Sequence, residues 1–401
     1  MRTAIVHYWL NNMRGGEKAL ESLCRLLPDA DIFTLFYQPD QVSPLIRAHK
    51  ITTSFLNPLR RLHRSLLPLM PLALECFDLR EYDLVISSES GPAKGVLTPA
   101  GTIHLCYCHT PMRYLWDLYP AYLNEWTTHR AKRLLMAPLA NYLRLWDYAS
   151  ATRVDEFIAS SQNARRRIWK TYRRVAQVVN PGVPVETFFH RPSDDYYLTV
   201  SELVPYKQID VAVRACSKLG RRLLVVGKGP EYRRLKALAS PSVEFCGHVP
   251  DQDLREIYAG CRALLMPGEE DFGMTAVEAL ASGKPIIAFA RGGVMEIVPR
   301  ENPTGGVFFD KPDADNLASA LLRFEAVEPS IQPKALQAHA ARYSEHEFQR
   351  NFSAILAHCG VDLGQPVNGP MKETVRNTRS QRPSGSRVEY PEERPSVRRE
   401  A

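Results

Sequence analysis

Residues 263–278 read Ala-Leu-Leu-Met-Pro-Gly-Glu-Glu-Asp-Phe-Gly-Met-Thr-Ala-Val-Glu. The apolar start predicts a buried strand, the acidic residues predict a loop, and a helix is predicted to begin near Gly273. Free backbone N–H groups at such a helix start form an anion site that suits a diphosphate. Glu270 precedes the helix and Glu278 lies about two turns further on. Both could bind sugar hydroxyls, or both could simply favour the positive end of the helix dipole.

The same alternation of strand and helix continues on both sides of this stretch. After Pro181-Gly182, strands are predicted at 196–200, 222–226, 243–246, 263–266 and 285–289, and helices at 207–219, 231–239, 251–259 and 274–281. Before it, strands are predicted at 3–8, 31–36, 83–87 and 103–108, with a helix at 17–27. Two such series predict an α/β fold of two Rossmann-like, doubly wound domains that face a cleft.

The domain limits follow from these series. We predict an N-terminal domain over residues 1–182 and a second domain over residues 183–344. A last helix is predicted within residues 345–360, and we expect it to return to the N-terminal domain. Residues 361–401 are rich in Arg, Pro, Ser and Glu with few aliphatic side chains. Such a segment buries too little apolar surface to offset its ordering entropy, so it is predicted to be a disordered tail.

Composition narrows the function classes. The chain has 401 residues and a net charge of +7, and 45% of its residues are hydrophobic, as in a soluble globular protein. Residues 1–182 carry 23 basic and 15 acidic side chains, which predicts an anionic partner for that half. Nucleic acid, a phospholipid surface and a phosphorylated substrate all remain open at this point. No apolar run reaches the roughly 20 residues of a membrane span, and no signal peptide is recognised, so a cytoplasmic location is expected.

One basic segment favours the membrane surface among these partners. Residues 41–74 contain five cations, no acid and many leucines. A basic amphipathic segment of this kind suits an anionic membrane, which predicts peripheral attachment at the inner face of the cytoplasmic membrane. The alternative is a helix packed on the N-terminal domain with its cations in water.

Two patterns could be mistaken for metal sites. His104, Cys106 and Cys108 share one face of a predicted strand, but no distant second ligand pair accompanies them, so a buried strand is favoured over zinc. Asp-x-Asp patterns begin at residues 29, 251 and 313. Residue 251 fits a helix N-cap and residue 313 fits a turn. We expect no metal.

The Glu-x7-Glu pattern in its strand–loop–helix setting resembles the donor-site motif of retaining glycosyltransferases of family 4, which have the two-Rossmann GT-B fold. Further segments resemble this family in the same order: 11–17 (Asn-Asn-Met-Arg-Gly-Gly-Glu), 200–207 (Val-Ser-Glu-Leu-Val-Pro-Tyr-Lys), 225–230 (Val-Val-Gly-Lys-Gly-Pro) and 245–249 (Phe-Cys-Gly-His-Val). Residues 107–116, Tyr-Cys-His-Thr-Pro-Met-Arg-Tyr-Leu-Trp, resemble bacterial O-antigen and exopolysaccharide mannosyltransferases. The resemblance extends over about residues 3–355.

The resemblance implies a role for each matched residue. Lys207 would neutralise the donor diphosphate as it leaves, Glu270 would hold hydroxyls of the transferred sugar, and His109 would face that sugar, which makes these three the catalytic candidates. Glu278 would bind the ribose. The full set of implied donor-binding residues is Gly15, Gly16, Lys207, Gly247, Val249, Glu270, Phe272, Gly273, Met274, Thr275 and Glu278.

One position departs from the family pattern. Many relatives have Arg where this chain has Glu202, and a carboxylate cannot bind phosphate. Either Glu202 points away from the donor or another cation replaces the arginine. Arg14 and Lys228 are the candidates for that replacement.

The implied activity is metal-independent, retaining transfer of a hexose to a glycan or lipid-linked glycan in bacterial surface polysaccharide synthesis. GDP-mannose is the favoured donor and no further cofactor is implied. A hexosyltransferase that uses a UDP-sugar and a nucleotide-sugar-binding protein without catalysis remain alternatives. No aromatic–basic stacking motif supports a nucleic acid partner.

Overall fold

The computed structural model describes residues 1–120, 130–301 and 304–361. The predicted disordered tail therefore lies, except for its first residue, outside the described residues. Within them, the chain forms two parallel sheets, each with helices packed against it, so the predicted pair of doubly wound α/β domains is confirmed.

The first sheet has seven parallel strands in the order β3-β2-β1-β4-β5-β6-β7. Their bounds are β1 Thr3–His7, β2 Asp31–Thr34, β3 Ile51–Thr53, β4 Leu84–Glu89, β5 Ile103–Cys108, β6 Glu156–Ala159 and β7 Ala176–Val178. The order turns back between β1 and β4. In such sheets ligands bind beyond the carboxyl ends of the strands at this switch point.

The second sheet has six parallel strands in the order β10-β9-β8-β11-β12-β13. Their bounds are β8 Tyr197–Val200, β9 Leu223–Val226, β10 Val243–Gly247, β11 Leu264–Met266, β12 Ile286–Phe289 and β13 Gly306–Phe309. Here the switch point lies between β8 and β11. The loops that follow these two strands carry residue 207 and residue 270, so the topology alone places the two candidates side by side.

Amphipathic helices cover the sheets. Their bounds are α1 Gly15–Leu26, α2 Pro44–Arg47, α3 Met70–Glu75, α4 Arg130–Ser150, α5 Gln162–Tyr172, α6 Ile209–Leu219, α7 Tyr232–Leu238, α8 Asp251–Gly260, α9 Met274–Ala281, α10 Val294–Ile297, α11 Ala314–Val327, α12 Pro333–Ala340 and α13 Glu345–His358. None of the helices in the described ranges combines the length and apolarity that a membrane span requires.

The last helix belongs to the core of the first domain. Phe348, Phe352 and Leu356 of α13 are almost fully buried in one cluster with Leu20 of α1 and Tyr107 of β5. The Phe352 ring lies 5.6 Å from the Tyr107 ring. The chain therefore leaves the first domain after β7, builds the second domain and returns to complete the first.

Several element limits differ from the predicted ones. The helix predicted from residue 207 begins at Ile209, because Pro205–Lys207 forms a short 3-10 turn and Gln208 has a positive φ of 52°. The helix predicted at 274–281 matches α9 at both ends. Strands β3, β6, β7 and β13, of three or four residues each, were not predicted. Three of them, β3, β7 and β13, lie at the edges of their sheets.

The position of α13 predicts a strong core mutation. We expect Phe352→Ala to lower the free energy of unfolding by about 3–5 kcal/mol, because it removes a fully buried ring and leaves a cavity. Urea unfolding measures this change. Phe189→Ala is the matched control, since Phe189 is 40% exposed, and it should cost far less. Equal losses in the two variants would contradict the placement of α13 in the core.

Candidate active site

The loops after β8 and β11 meet through a pair of opposite charges. Lys207 Nζ and a carboxylate oxygen of Glu270 form an ion pair in which both side chains are mostly buried. The Lys207 ammonium also lies 5.4 Å from the centre of the Tyr206 ring. Two of the predicted catalytic residues are therefore in direct contact.

Electrostatics keeps this lysine charged. Burial lowers the pKa of Lys207, but the Glu270 carboxylate and the Tyr206 hydroxyl more than offset that effect, so the pKa lies above its ordinary value. The ammonium is therefore available as a fixed positive charge at neutral pH. A partner anion that displaced Glu270 would meet a cation already removed from bulk water, where charge–charge attraction is stronger.

Helix α9 begins beside this pair. Gly273 precedes it with a φ of 108°, a conformation that favours glycine, and helix geometry leaves the N–H groups of Met274 and Thr275 without partners inside the helix. A Cβ built on Gly15 would lie 3.7 Å from Met274 Sδ. The starts of α1 and α9 thus face each other across the cleft, and the structure brings these predicted donor-binding residues together.

Packing alone can explain why residue 16 is a glycine. A Cβ at this position would lie 2.7 Å from the Tyr8 hydroxyl, so close packing against Tyr8 requires glycine whether or not a ligand approaches. The same built atom would lie 3.8 Å from the His7 ring, which is fully buried beneath the turn.

Glu278 lies further along α9 and is 5% exposed. The Tyr258 hydroxyl donates a hydrogen bond of 2.7 Å to its carboxylate, and Lys18 Nζ from α1 of the first domain lies 3.6 Å from it. Attraction to Glu278 raises the pKa of Lys18 despite burial. An open pocket adjoins these groups, and Asp251 and Met274 also line it.

Glu202 is paired across the cleft. Arg14 Nη1 of the first domain lies 2.8 Å from its carboxylate, and the arginine side chain is half exposed. Lys228 is exposed, and among the described residues it forms no ion pair. Of the two substitute cations that the sequence offered, Arg14 is the one that the fold brings to Glu202.

His109 lies at the carboxyl end of β5, on the first-domain side. Its Nε2 is 3.2 Å from the Ser88 hydroxyl, and its ring lies 4.8 Å from that of Tyr107. Burial, with a smaller contribution from His7, lowers the pKa of His109 to about 3. The imidazole is therefore neutral at physiological pH and acts as a hydrogen-bonding group, not as a cation.

The sequence did not single out two residues that the structure places at this cleft, Lys18 and His7. Lys18 follows Gly15 by about one helical turn, so its position in the sequence could have predicted that it lies near the start of α1 at the cleft. His7 ends β1 at the first switch point, and within the described part of the chain neither of its ring nitrogens has a hydrogen-bond partner. The Glu17 carboxylate lies 3.8 Å from its Nε2.

The remaining predicted residues occupy the rim and the support of the site. Gly247 ends β10 with a φ of 68°, and Val249 packs against the second-domain core. The Phe272 side chain is buried 5.7 Å from the Tyr343 ring, so only its main chain could meet a ligand. The Gly293 N–H donates to the Glu270 carbonyl at 2.8 Å, which fixes the backbone of the acidic loop.

The residues of the first pattern that resembles a metal site do not all lie together in the structure. Glu89, Cys106 and Cys108 form a buried group whose ligand atoms lie within 4.8 Å of one another, whereas His104 turns to the Ser87 hydroxyl at 3.0 Å. The ammonium of Lys94, also fully buried, lies 3.4 Å from Glu89 and already supplies positive charge there.

Two of the three Asp-x-Asp patterns lie at helix starts, whereas Asp31 of the first pattern begins strand β2. Asp313 caps α11 by accepting from the Asn316 N–H at 2.8 Å. Asp251 was predicted as an N-cap, but it is the first residue of α8, and its carboxylate lies 3.7 Å from Lys18 Nζ.

Two family models cover nearly the whole described chain. One described as Glycosyltransferase Family 4 matches residues 13–187, and one described as Glycosyl transferases group 1 matches residues 186–343. The chain belongs to the family 4 glycosyltransferases. The boundary between the two matches falls at the start of the second domain, so each family model corresponds to one sheet.

Relatives and solved structures agree with this assignment. The D-inositol 3-phosphate glycosyltransferase of Mycobacterium marinum is 30% identical over 224 residues, 48% of this chain and 46% of the relative. The chain spans about half the length of the curated relatives it matches. Sucrose-phosphate synthase from Thermosynechococcus elongatus has a TM-score of 0.67 at 17% identity and covers 90% of this chain and 99% of its own.

A structure with a bound nucleotide sugar has the same fold. Anabaena HepE in complex with UDP-glucose has a TM-score of 0.65 at 16% identity, and the match covers 89% of this glycosyltransferase and all of that chain. At this identity the likeness concerns the fold alone, which is the GT-B arrangement of two Rossmann-like domains.

The neutral state of His109 is directly measurable. We expect its Cε1–H chemical shift to stay constant from pH 5 to 8, because its pKa is about 3 whereas an ordinary histidine titrates near about 6.5. His109→Gln assigns the signal. Below about pH 6.5, His109 binds a proton in the unfolded chain but not in the folded chain. The contribution of this residue to the free energy of unfolding therefore falls as the pH drops below that value. A titration midpoint near 6.5 in the folded protein would contradict the assignment.

Proposed function

We propose that the protein transfers a hexose from a nucleoside diphosphate sugar to a hydroxyl of a glycan or lipid-linked glycan. The observation that carries this proposal is the Lys207–Glu270 ion pair at the switch point of the second sheet, beside the free N–H groups at the start of α9. A cation, a helix start and a carboxylate are the groups that a diphosphate and an attached sugar need.

The diphosphate lies, in this proposal, between the starts of α9 and α1. Lys207 exchanges Glu270 for a phosphate oxygen, and the released carboxylate accepts hydrogen bonds from sugar hydroxyls. The acceptor hydroxyl oxygen forms a bond to C1 of the sugar as the bond from C1 to the phosphate oxygen breaks, and the acceptor proton passes to the leaving phosphate oxygen. Negative charge then grows on the leaving diphosphate, where Lys207 and the N–H groups of α9 stabilise it.

Two further groups complete the donor site. Glu278 accepts hydrogen bonds from the ribose hydroxyls, since it lines an open pocket and its carboxylate is already oriented by the Tyr258 hydroxyl. His109 is neutral and so can donate or accept a hydrogen bond to the sugar from the first domain. Retention of the anomeric configuration and independence from metal are carried over from the family resemblance.

The donor is proposed to be GDP-mannose, on the resemblance of residues 107–116 to mannosyltransferases. A UDP-linked hexose is the second candidate, because a structure of the same fold holds UDP-glucose. A nucleotide-sugar-binding protein without catalysis is the third candidate, because position 202 carries a carboxylate, which is paired with Arg14.

A donor screen tests the function. Purified protein is incubated with GDP-mannose, UDP-glucose or UDP-galactose, with and without a lipid-linked glycan acceptor, and release of the nucleoside diphosphate is measured. We expect one donor to be consumed faster with acceptor present, and the rate to persist in excess EDTA. Binding without turnover would favour the non-catalytic alternative, and loss in EDTA that Mg²⁺ restores would contradict metal independence.

Lys207→Ala should lower turnover by two or more orders of magnitude while the fold survives, because the leaving diphosphate loses its fixed cation. Steady-state rates with the donor found in the screen measure this. Lys218→Ala removes an exposed lysine of α6 and should leave the rate unchanged. Near-normal turnover in a folded Lys207→Ala protein would refute the proposed role.

We propose peripheral attachment to an anionic membrane through residues 55–72. In the structure the kinked 3-10 segment Asn57–Leu69 exposes large apolar side chains next to the exposed Arg60 and Arg61. The exposed apolar residues of this segment are Phe55, Leu59, Leu62, Leu69 and Leu72. Water does not favour such a surface, whereas a lipid interface accepts both its leucines and its cations.

Replacing Arg60, Arg61 and Arg64 with Glu should release the protein from anionic vesicles. Each cation near the surface contributes about 1 kcal/mol, so reversing three of them overcomes several kcal/mol of attraction. Vesicle sedimentation at rising salt measures binding, and transfer to a lipid-linked acceptor should slow more than donor hydrolysis by water. Arg214, Lys218 and Arg233, three exposed cations of the second domain, form the matched triple control. Unchanged sedimentation of the first triple variant would refute membrane attachment through this segment.

A further inference from the structure

Three consecutive acidic residues, Glu269, Glu270 and Asp271, follow β11 and point in two directions. Glu270 is bridged to Gly292 in strand-like geometry, and successive side chains of an extended chain point to opposite sides. Glu270 accordingly turns to Lys207 of its own domain. Its two neighbours turn to the first domain.

Arg167 of α5 holds both neighbours. Its Nη2 lies 2.5 Å from the Glu269 carboxylate and its Nε lies 2.9 Å from the Asp271 carboxylate, and the side chain is only 17% exposed. Arg113 adds a contact of 3.3 Å to Asp271. Asp117 of the first domain pairs with Arg167 and so orients it from its own side. The preceding residues Arg165 and Arg166 are exposed, so Arg167 alone of these three consecutive arginines is turned into the contact between the domains.

The backbone is held at the same place. The Ser161 hydroxyl donates to the Asp271 carbonyl at 2.6 Å. The Glu296 carboxylate of the second domain accepts from the Gln162 and Asn163 N–H groups at 2.7 Å each. A carboxylate of one domain thus satisfies the N–H groups at the start of a helix of the other, where negative charge is most stabilising.

The contacts of Arg113 and Arg167 with the acidic loop, and that of Glu296 with the start of α5, join the two domains. Burial raises the pKa of Asp271 even though Arg113 and Arg167 oppose the rise, so its carboxylate depends on the arginines that the first domain supplies. Buried charges that lose their partners are costly, and the acidic loop would have to rearrange if the domains separated.

We infer that Arg167 is a positioning residue for the transfer reaction: by fixing Glu269 and Asp271 it holds Glu270 in place, and it does so only while the two domains are in contact. This inference rests on the proposed function of Glu270. It makes contact between the domains a condition for a correctly formed sugar site.

Loss of Arg167 should affect turnover and nucleotide binding to different extents. Lys207, the start of α9 and Glu278 belong to the second domain, and among the described residues Arg167 forms no ion pair or hydrogen bond with any of them. We therefore expect loss of Arg167 to misplace the sugar hydroxyls more than the diphosphate and ribose contacts that the second domain makes. A general loss of structure would weaken both.

Arg167→Ala is expected to lower kcat at least tenfold and to change the Kd for GDP or UDP, whichever the wild type binds, by less than about twofold. Calorimetry gives the Kd, and steady-state rates with the donor from the screen give kcat. Lys170→Ala removes an exposed cation of the same helix and should change neither quantity. Unchanged kcat in folded Arg167→Ala, or a Kd that rises as much as kcat falls, would overturn the inference.

Glu269→Gln tests the same contact from the opposite side with a smaller change, which covers the case in which Arg167→Ala does not fold. It should lower kcat in the same direction, and the double variant should be no slower than Arg167→Ala. A fully additive loss would contradict a shared role.

A crystal structure of Arg167→Ala gives a readout that needs no turnover. It should show the Glu270 carboxylate displaced from Lys207. An unchanged pair would overturn the inference, whereas a wild-type protein that consumes no donor would contradict the proposed function instead.

Discussion

The ion pair between Lys207 and Glu270 is the interaction on which the rest of the site depends. It joins the loops after β8 and β11, the two strands at which the second sheet reverses its order. The Gly293 N–H secures the Glu270 backbone, and the positive φ of Gly273 turns the chain into α9. The pair keeps a mostly buried cation charged and holds a carboxylate beside it. An anionic ligand can exchange with that carboxylate at low cost in desolvation, because the site is already shielded from bulk water.

A second constraint is the charge complementarity between the domains. The first turn of α1 presents Arg14 and Lys18 to carboxylates of the second domain, among them Glu202 and Glu278. On the other side, Arg167 reaches the acidic loop. Basic groups of the first domain therefore meet acidic groups of the second on both sides of the cleft. This explains part of the positive balance of residues 1–182, which the sequence could attribute only to an external anion.

The parts of the fold that the sequence predicts well are those with strong local signals. The strand, loop and helix of residues 263–278 were placed to within about a residue, because a continuous apolar run ends in acidic residues and a glycine opens the helix. Glycosyltransferase membership also followed from local motifs. The resemblance named Arg14 as one of two candidate cations at the donor site, but its ion pair with Glu202 could not be predicted, since the two residues are remote in the chain and no periodicity links them. The burial of Arg167 could not be predicted for the same reason, because helix periodicity describes one element and carries no information about another domain packed against it.

A crystal structure with bound GDP-mannose, or with the donor that the screen identifies, would show whether Lys207 and the start of α9 bind the donor diphosphate. We expect the diphosphate to lie between the starts of α1 and α9, with its oxygens within hydrogen-bond distance of Lys207 Nζ and of the Met274 and Thr275 N–H groups. Glu270 should have left Lys207 for the sugar hydroxyls. A diphosphate bound elsewhere, or a Lys207–Glu270 pair that persists beside the bound donor, would contradict the proposed role of Lys207.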